Sequence, residues 1–305
     1  MELFHSVTHP VLVFINRPVA NPIAIGVARH LPIAGSVPIS VARQVTIAPR
    51  TVAQSQALPL EAAAAVWHGL TEDADENGRD ALESFEADFL NRLACHSAAI
   101  EGSTLDALQT QLVLEGEFVP ADNKELSDLF AVRGVAEGYD WARREMAKGR
   151  RIDAEFIKDI HERTALDAQP RVRGTYRSAA VLIVGAPFTP PAPLEIAPNM
   201  DLLLEQFAAS SQHPLVSAAA FHAMFEMVHP FLDGNGRVGR TVLNLMLLKA
   251  GLPAVALKSN NRLAYLETLA AWQTTGNGAD FIAILTENVE AELEARREIL
   301  TESMG

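Results

Sequence analysis

Apolar side chains recur at three- and four-residue steps over most of the chain after about residue 80, a period that favours amphipathic α-helices. The spacing holds from Leu82 to Leu93 and, with one polar lapse at Arg133, from Leu126 to Tyr139. The same pattern predicts further helices over residues 153–166, 199–209, 214–228, 236–250, 259–272 and 279–299.

Short polar residues and glycines mark several predicted helix ends. Asp153 and Asn199 are predicted N-caps, since their side chains can accept hydrogen bonds from the first amides of a helix. Gly251, followed by Pro253, predicts a helix end. The stretch 174–193, GTYRSAAVLIVGAPFTPPAP, has a β-rich centre and a proline-rich turn, so it predicts a short β-hairpin within a mainly α fold.

The first sixty residues differ in composition from the rest. No Asp or Glu occurs between Leu3 and Leu60, and seven prolines interrupt short apolar runs. This pattern indicates irregular or extended backbone. Residues 1–60 are therefore interpreted as a proline-rich extension, with a transit-like segment as an alternative.

Charge and cysteine content exclude several protein classes. The formal net charge of −13 argues against a general nucleic-acid binder, which usually carries a basic surface. The one cysteine, Cys95, allows no internal disulfide and fits a reducing cytoplasm. The most apolar run, at 9–28, is interrupted by polar residues and prolines and is not expected to span a membrane. We expect a cytoplasmic protein that binds neither membrane nor nucleic acid.

The run HPFLDGNGRVGRT, residues 229–241, concentrates residues that bind phosphate. Gly234, Gly239, Arg240 and Thr241 fit a degenerate P-loop in which arginine replaces lysine. A P-loop follows a strand, however, whereas the preceding SAAAFHAMFEMV has its apolar residues at helical spacing. Arginine also replaces the compact charge of lysine poorly. The P-loop interpretation therefore fails on context.

A second interpretation uses more of the run. A helix ends near Val228, Pro230 forces a loop, and a new helix begins at the glycine turn. The free N–H groups at the start of that helix form an anion site. Arg237 and Arg240 lie three residues apart, share a face of the helix and can clamp phosphate oxygens.

Two residues before the glycine turn supply the remaining chemistry. Asp233 offers one hard oxygen ligand, which suits Mg²⁺ bound jointly by phosphate and water. His229 has an ordinary pKa near neutrality and suits a general base. Each residue alone has an ordinary structural explanation, but their occurrence in one short run favours a phosphate site.

The sequence HPFLDGNGRVGR resembles the signature of the Fic (Fido) family, H-P-F-x-[D/E]-G-N-G-R-x-x-R, at every defining position. The resemblance implies a mainly α, Fic-type helical bundle with a short β-hairpin flap over the active site. It implies a Fido core at 151–291, after an N-terminal helical region at 61–150 and before a C-terminal helix end at 292–305. Most members of this family transfer AMP from ATP-Mg to a hydroxyl of a target protein.

The resemblance also implies roles for the residues of the motif. His229 would deprotonate a target Ser, Thr or Tyr hydroxyl, and Asp233 would hold Mg²⁺. Arg237 would neutralise charge on the transferred and leaving groups, and Arg240 would reach the γ-phosphate. Gly236 favours AMP transfer, because Doc-like kinases of the superfamily carry lysine there. The implied nucleotide-binding residues of the motif are Asp233, Gly234, Asn235, Gly236, Arg237, Val238, Gly239 and Arg240.

Two stretches outside the motif extend the resemblance. The predicted hairpin is similar to the family's flap, which covers the nucleotide and aligns the target by strand pairing. The flap positions nearest the nucleotide would be Val184, Gly185, Ala186 and Pro187. The stretch NRLAYLETL resembles the helix after the motif and places Tyr265 near the adenine, with a core aromatic as an equal alternative. An asparagine common farther along is here Gln273, or is displaced to Asn277.

The stretch HSAAIEGS, residues 96–103, suggests a built-in inhibitor. Ser97 and Glu101 lie one helical turn apart on one face and Gly102 follows them. The pattern resembles the family's inhibitory motif, [S/T]-x-x-x-E-[G/N], in the class whose inhibitory helix precedes the core. Glu101 would then pair with Arg240 and displace the γ-phosphate.

These residues lead to one main hypothesis and two alternatives. The main hypothesis is a nucleotidyltransferase, a protein adenylyltransferase that uses ATP and Mg²⁺ and is autoinhibited by Glu101. The alternatives are a hydrolase that removes AMP, with Glu101 orienting a water, and a non-catalytic ATP-binding regulatory module. The expected partner is a target protein that presents a hydroxyl along the flap, and a homodimer remains open.

Overall fold

The computed structural model describes residues 59–303, which form a mainly α-helical fold. The helices α1 to α10 are, in order, Pro59–Glu72, Glu76–Ile100, Ala107–Glu115, Asn123–Ala147, Ala154–Thr164, Pro193–Ala208, Pro214–Val228, Asn235–Lys249, Arg262–Thr275 and Ala279–Ser303. Two short 3₁₀ turns occur at Pro170–Val172 and Ser259–Asn261. Most of the helices that the apolar period predicts are confirmed.

The centre of the fold is α7, whose sequence PLVSAAAFHAMFEMV is apolar on nearly every face. A helix that is hydrophobic all round is buried on all sides. In agreement, α7 packs against α6, α8, α9 and α10, and α8 packs in turn against α5. The loop that joins α7 to α8 is therefore held between two buried helices.

A second apolar cluster positions the C-terminal end of α2. Phe89 of α2 packs against Tyr139 of α4, with 6.1 Å between the ring centroids. Val113 of α3 and Leu105 of the α2–α3 loop belong to the same cluster. This packing places the last turn of α2 beside α8.

One of the two predicted N-caps is confirmed and the other is wrong. Asp153 caps α5 by accepting a hydrogen bond from the backbone N–H of Phe156 at 2.8 Å. Asn199 lies inside α6, which begins at Pro193. Proline suits the first turn of a helix, and the Glu195 side chain accepts the N–H of Ala192 at 2.8 Å, so the helix starts six residues earlier.

The predicted β-hairpin is not confirmed. Over residues 59–303 no strand is formed, and the stretch 174–192 is an irregular loop apart from short turns and one isolated β-bridge residue, Leu182. A turn at its tip has Gly185 at φ 84°, and the N–H of Ala186 donates to the carbonyl of Ile183 at 3.1 Å. We call residues 177–192 the flap loop.

The predicted extension, residues 1–60, lies almost wholly outside the described residues. Helix α1 begins at Pro59, before the predicted domain boundary, and buries Leu60 in the main core. Among residues 59–303, no helix is both long enough and apolar enough to cross a bilayer.

Candidate active site

The motif 229–241 occupies the junction between α7 and α8. His229 follows the last residue of α7 and adopts a left-handed backbone conformation with φ 48°. Pro230 has no N–H to continue the helix. Gly234, with φ 77°, precedes the first residue of α8. The junction thus joins a helix C-terminus to a helix N-terminus within a few residues, as the motif predicts.

The loop between the two helices is closed by Asn235. Its side-chain oxygen accepts the N–H of Phe231 at 2.8 Å, and its amide donates to the carbonyl of Phe231 at 2.9 Å. The paired bonds fix the loop and use both ends of the amide. The Asn235 side chain is therefore structural, and any phosphate contact from this residue would come from its backbone N–H.

The His229 imidazole is arranged as a base. Nδ1 lies 3.4 Å from the backbone carbonyl of Glu226, which only accepts hydrogen bonds, so Nδ1 carries the proton. Nε2 is buried and has no hydrogen-bond partner among the described residues. Burial lowers the pKa of His229 to about 4, so the ring is neutral at physiological pH. A neutral ring with a free Nε2 lone pair can accept a proton.

The first turn of α8 presents free N–H groups. The bond from Val238 N–H to the Gly234 carbonyl, at 3.0 Å, is the first intrahelical bond, so the earlier amides have no helical acceptor. Gly234 donates its own N–H to Oδ1 of Asp233 at 2.6 Å. The Asp233 side chain is 54% exposed, so its carboxylate is accessible to a cation at the mouth of the site.

Arg237 is held by a carboxylate that the sequence did not reveal. Its Nη1 donates to Oδ1 of Asp167 at 2.6 Å, and its Nη2 lies 3.7 Å from Oδ1 of Asp233. Arg237 is 1% exposed, and its Nε has no hydrogen-bond partner in the described chain. Asp167 is seventy positions from Arg237 in a loop after α5, and no local pattern marks it.

Arg240 is held by the predicted inhibitory motif. Its Nε donates to Oγ of Ser97 at 2.9 Å, and its Nη2 donates to Oε1 of Glu101 at 2.8 Å. Partial burial would raise the pKa of Glu101, but the Arg240 guanidinium outweighs this effect and keeps that pKa below its usual value. Glu101 is therefore ionised. The structure brings Ser97, Glu101 and Arg240 together, and Gly102 follows the end of α2 with φ 101°.

His161 is a further residue that the sequence did not indicate. Its Nδ1 accepts the N–H of Gly174 at 2.8 Å, so its Nε2 carries the proton and donates to the Asp233 carbonyl at 3.0 Å. The ring also stacks on Phe231 at 3.9 Å. His161 therefore fixes the backbone of Asp233 and, with it, the position of the Asp233 carboxylate.

The remaining predicted nucleotide contacts have mixed surroundings. Val184 in the flap loop is 58% exposed, and its neighbours Gly185 and Pro187 are also exposed. Tyr265 is 3% exposed and its hydroxyl lies 2.7 Å from Nε2 of His222, which supports the core alternative. An adenine contact from Tyr265 stays a prediction.

Gln273 and Asn277 also differ in their surroundings. The Gln273 amide donates to the carbonyl of Ala223 at 2.8 Å and so ties α9 to α7. Asn277 lies in the exposed turn between α9 and α10, where its Oδ1 accepts the N–H of Ala279 at 3.2 Å. The structure gives each of these two side chains a local structural role.

Comparison with known proteins decides the family of this site. A family model described as Fic/DOC family matches residues 151–247, which include the whole α7–α8 junction. The chain contains a Fic/DOC domain. This matched segment also includes His161, Asp167 and the flap loop, so the residues that support the motif belong to the same domain.

Relatives of the Fic/DOC domain include curated proteins from two animals. The chain is 29% identical over 204 residues to "Protein adenylyltransferase Fic" of Nematostella vectensis, covering 66% of this chain and 47% of that protein. It is 28% identical over 206 residues to the protein of the same name from Drosophila grimshawi, covering 65% and 41%. The chain thus spans less than half the length of these two relatives.

Solved structures show that the fold around the Fic/DOC domain is shared. A Fic domain-containing signaling protein from Bacteroides thetaiotaomicron superposes with a TM-score of 0.70 at 23% identity, covering 80% of this chain and 98% of that one. Fic-1 from C. elegans superposes with a TM-score of 0.68 at 22% identity, covering 83% and 74%. Both matches extend well beyond the motif, so the surrounding helices follow the same fold.

Proposed function

We propose that this protein is an adenylyltransferase that transfers AMP from ATP to a hydroxyl side chain of a target protein. The observation that carries the proposal is the buried, unpartnered Nε2 of His229 beside the N-terminus of α8. A site that only binds a nucleotide has no use for a buried base whose lone pair is left free. The adenylyltransferase names of the relatives support the same reaction class.

The residues of the site fit ATP with Mg²⁺. The buried Nε of Arg237 lacks a partner, and the first N–H groups of α8 lack helical acceptors, so phosphate oxygens would satisfy both. The exposed Asp233 carboxylate would hold the Mg²⁺ ion, which would neutralise part of the charge on the phosphates. These unpartnered groups support the proposal that the site binds ATP with Mg²⁺.

The chain's own residues account for the transfer step. His229 Nε2 takes the proton of the target hydroxyl, while the oxygen of that hydroxyl forms a bond to the α-phosphorus of ATP. The bond from the α-phosphorus to the bridging oxygen breaks, and pyrophosphate leaves with the bond electrons. Arg237 stabilises the negative charge that develops on the transferred and leaving groups. The flap loop would align the target segment.

We further propose that Glu101 inhibits the enzyme. Its carboxylate occupies Nη2 of Arg240, a group that would otherwise bind the γ-phosphate. Two more acceptors, Oγ and the backbone carbonyl of Ser97, hold the same guanidinium at 2.9 Å. ATP must therefore displace a charged hydrogen-bond partner from Arg240 before it can bind in a productive orientation.

The partial exposure of Glu101 keeps the AMP-removing hydrolase as an alternative. The side chain is 38% exposed, so its carboxylate could also orient a water for attack on an AMP-modified protein. The two activities differ in their products. Incubation with AMP-modified protein and no ATP would release AMP only if the chain acts as the hydrolase.

Labelling with α-³²P-ATP and Mg²⁺ tests the proposal. We expect protein-bound label from Glu101→Gly, at least tenfold above the unmodified chain, and none from Glu101→Gly with His229→Ala. Glu115→Gly, at the end of α3, is a matched control that should leave labelling unchanged. ATP binding without label in any variant would show a binding module. Mass spectrometry of the labelled protein would identify the added group and its site.

A further inference from the structure

Arg177, a buried arginine outside the motif, contacts the turn that carries the base. Its side-chain Nε donates to the backbone carbonyl of His229 at 2.8 Å, and its backbone N–H donates to the carbonyl of Pro230 at 2.9 Å. A third and longer bond, at 3.5 Å, runs from Nη2 to the carbonyl of Val228. Three consecutive carbonyls, from the end of α7 into the loop, thus accept hydrogen bonds from one residue.

The same guanidinium holds the flap loop. Nη1 of Arg177 donates to the carbonyl of Ala179 at 2.9 Å, and Nη2 donates to the carbonyl of Pro191 at 2.7 Å. Ala179 and Pro191 lie near the two ends of the flap loop, so both ends are tied to the turn at His229. The base and the flap loop therefore share one anchor.

The chemistry of this anchor is unusual for a structural arginine. Arg177 is 5% exposed, and within residues 59–303 it forms no ion pair with a carboxylate. A buried guanidinium without a counter-ion is costly to bury, and burial lowers the pKa of Arg177. The carbonyls at the C-terminus of α7, the negative end of a helix dipole, offset part of this cost.

The backbone of His229 explains why an anchor is needed there. His229 is the one non-glycine residue in the described chain with a positive φ. Side chains with a Cβ disfavour this left-handed conformation, and glycine would adopt it freely. Glycine cannot supply an imidazole, so the conformation must be held from outside.

We propose that Arg177 is a positioning residue for the base: its guanidinium holds the His229 carbonyl and both ends of the flap loop in one arrangement. This inference rests on the proposed adenylyltransferase function. It extends that function by assigning the orientation of the base to a residue fifty-two positions before it. The proposed substrate contacts come from Arg237, Arg240 and Asp233, and Arg177 is not one of them.

Steady-state labelling separates positioning from simple stability. In the Glu101→Gly protein, we expect Arg177→Gln to lower the AMP-transfer rate at saturating ATP at least tenfold. The Kd for ATP, measured by calorimetry, should change less than twofold. Arg177→Lys keeps the charge but loses the planar guanidinium that donates to several carbonyls, so it should also transfer AMP slowly. Arg163→Gln, a control arginine that donates to the Asp159 carbonyl within α5, should transfer at the parent rate.

A titration of His229 by NMR provides a readout that does not depend on activity. The cation at Arg177 contributes to the low pKa of His229, after burial, so Arg177→Gln should raise that pKa towards its ordinary value. Arg177→Lys should leave it closer to the parent value. If Arg177→Gln fails to fold, Arg177→Lys carries both measurements, and its transfer rate decides.

Three results would overturn the inference. The first is an unchanged transfer rate in both Arg177 variants. The second is a loss that appears wholly as weaker ATP binding, and the third is an unshifted His229 titration in Arg177→Gln. If the Glu101→Gly parent itself transfers no AMP, the proposed function fails. A comparison of the His229 ring chemical shifts between the unmodified chain and the charge-preserving Arg177→Lys then decides whether Arg177 positions the ring.

Discussion

The carboxylate of Glu101 lies against the Cα atom of Gly236, in the space that a Cβ atom at position 236 would fill. Glu101 reaches Arg240 over this glycine, and no other residue type would leave the same room. The motif glycine thus has a steric role in addition to the phosphate binding that we propose. It allows the C-terminal end of α2, which carries Glu101, to approach the N-terminus of α8.

Because Glu101 occupies the space beside Gly236, we predict that Gly236→Ala weakens the proposed inhibition by Glu101. Gly236 has helical backbone that alanine also adopts, so the methyl group would displace Glu101 without backbone strain. A lost charge-assisted hydrogen bond contributes roughly 1.5–3 kcal/mol, so labelling should rise about tenfold or more.

The matched control is Gly69→Ala, because a Cβ at Gly69 meets no atom within 4 Å. Its labelling should equal that of the unmodified chain. Glu101→Gly with Gly236→Ala should label no faster than Glu101→Gly alone. If Gly236→Ala labelled no more than the unmodified chain while Glu101→Gly labelled strongly, Glu101 would have kept its contact with Arg240 despite the methyl group.

Ser97→Ala should release the inhibition in part. The substitution removes the Oγ acceptor of Arg240 but leaves Glu101 and the Ser97 carbonyl in place. The lost bond joins the charged guanidinium to an uncharged hydroxyl and is therefore weaker than the contact with the Glu101 carboxylate. At about 1 kcal/mol it predicts roughly a fivefold rise in labelling, below that of Glu101→Gly. Ser103→Ala, in the loop after α2, is the control. A Ser97→Ala rate equal to the Glu101→Gly rate would mean that the serine, and not the carboxylate, dominates the contact.

Asp167→Ala should destabilise the chain but increase the stabilisation that ATP provides. The Asp167 side chain is 14% exposed, and its removal leaves the buried Arg237 without its closest counter-ion, which costs about 3 kcal/mol or more. A triphosphate would then replace the missing carboxylate. Thermal unfolding with and without ATP measures both effects.

Asp167→Asn, which keeps an oxygen acceptor for Arg237, is the matched comparison. Its melting temperature should fall less than that of Asp167→Ala. An ATP-induced shift in Asp167→Ala no larger than in the parent chain would contradict the view that phosphate and Asp167 compete for Arg237.

The His161 contacts predict a loss of stability in mild acid. Burial lowers the pKa of His161 to about 4 in the folded chain, below the value near 6.5 expected when unfolded. The folded state then binds fewer protons, so this contribution to stability is complete above about pH 6.5 and declines as pH falls towards 4. The full effect is about 3 kcal/mol.

Urea unfolding between pH 7.5 and 4.5 tests the His161 contribution. His161→Gln should be less stable at pH 7.5, because it loses the Gly174 and Asp233 bonds, and its stability should change less with pH. Other buried histidines titrate in both proteins, so the difference between the two slopes is the informative quantity. Parallel slopes would remove His161 as the source.

The helices could be predicted from sequence where the apolar period was long and regular. Helix α1 shows no such period, because its run EAAAAVW offers small residues instead of a spaced apolar stripe. Helix α3 is only nine residues long, too short to show a period. Asn199 was a wrong helix start, since Pro193 and Glu195 together supply a stronger start signal upstream.

The motif residues could be predicted because their chemistry is local in sequence. Ser97 and Glu101 came from a short pattern, and the structure places both on Arg240. Asp167 and Arg177 could not be found in this way. Their partners are seventy and fifty-two positions away, and only the packing of the fold decides which carboxylate or carbonyl each guanidinium meets.

Both motif arginines bind carboxylates of the chain itself, Arg237 through Asp167 and Arg240 through Glu101. Under the proposed function, a phosphate that binds these two Nη groups would exchange with an internal carboxylate. A molecule with one anionic group can replace one internal carboxylate, whereas release of both requires several linked negative charges. If the site binds nucleotides as proposed, the number of phosphates, as much as the base, would determine which cellular nucleotides can displace both carboxylates.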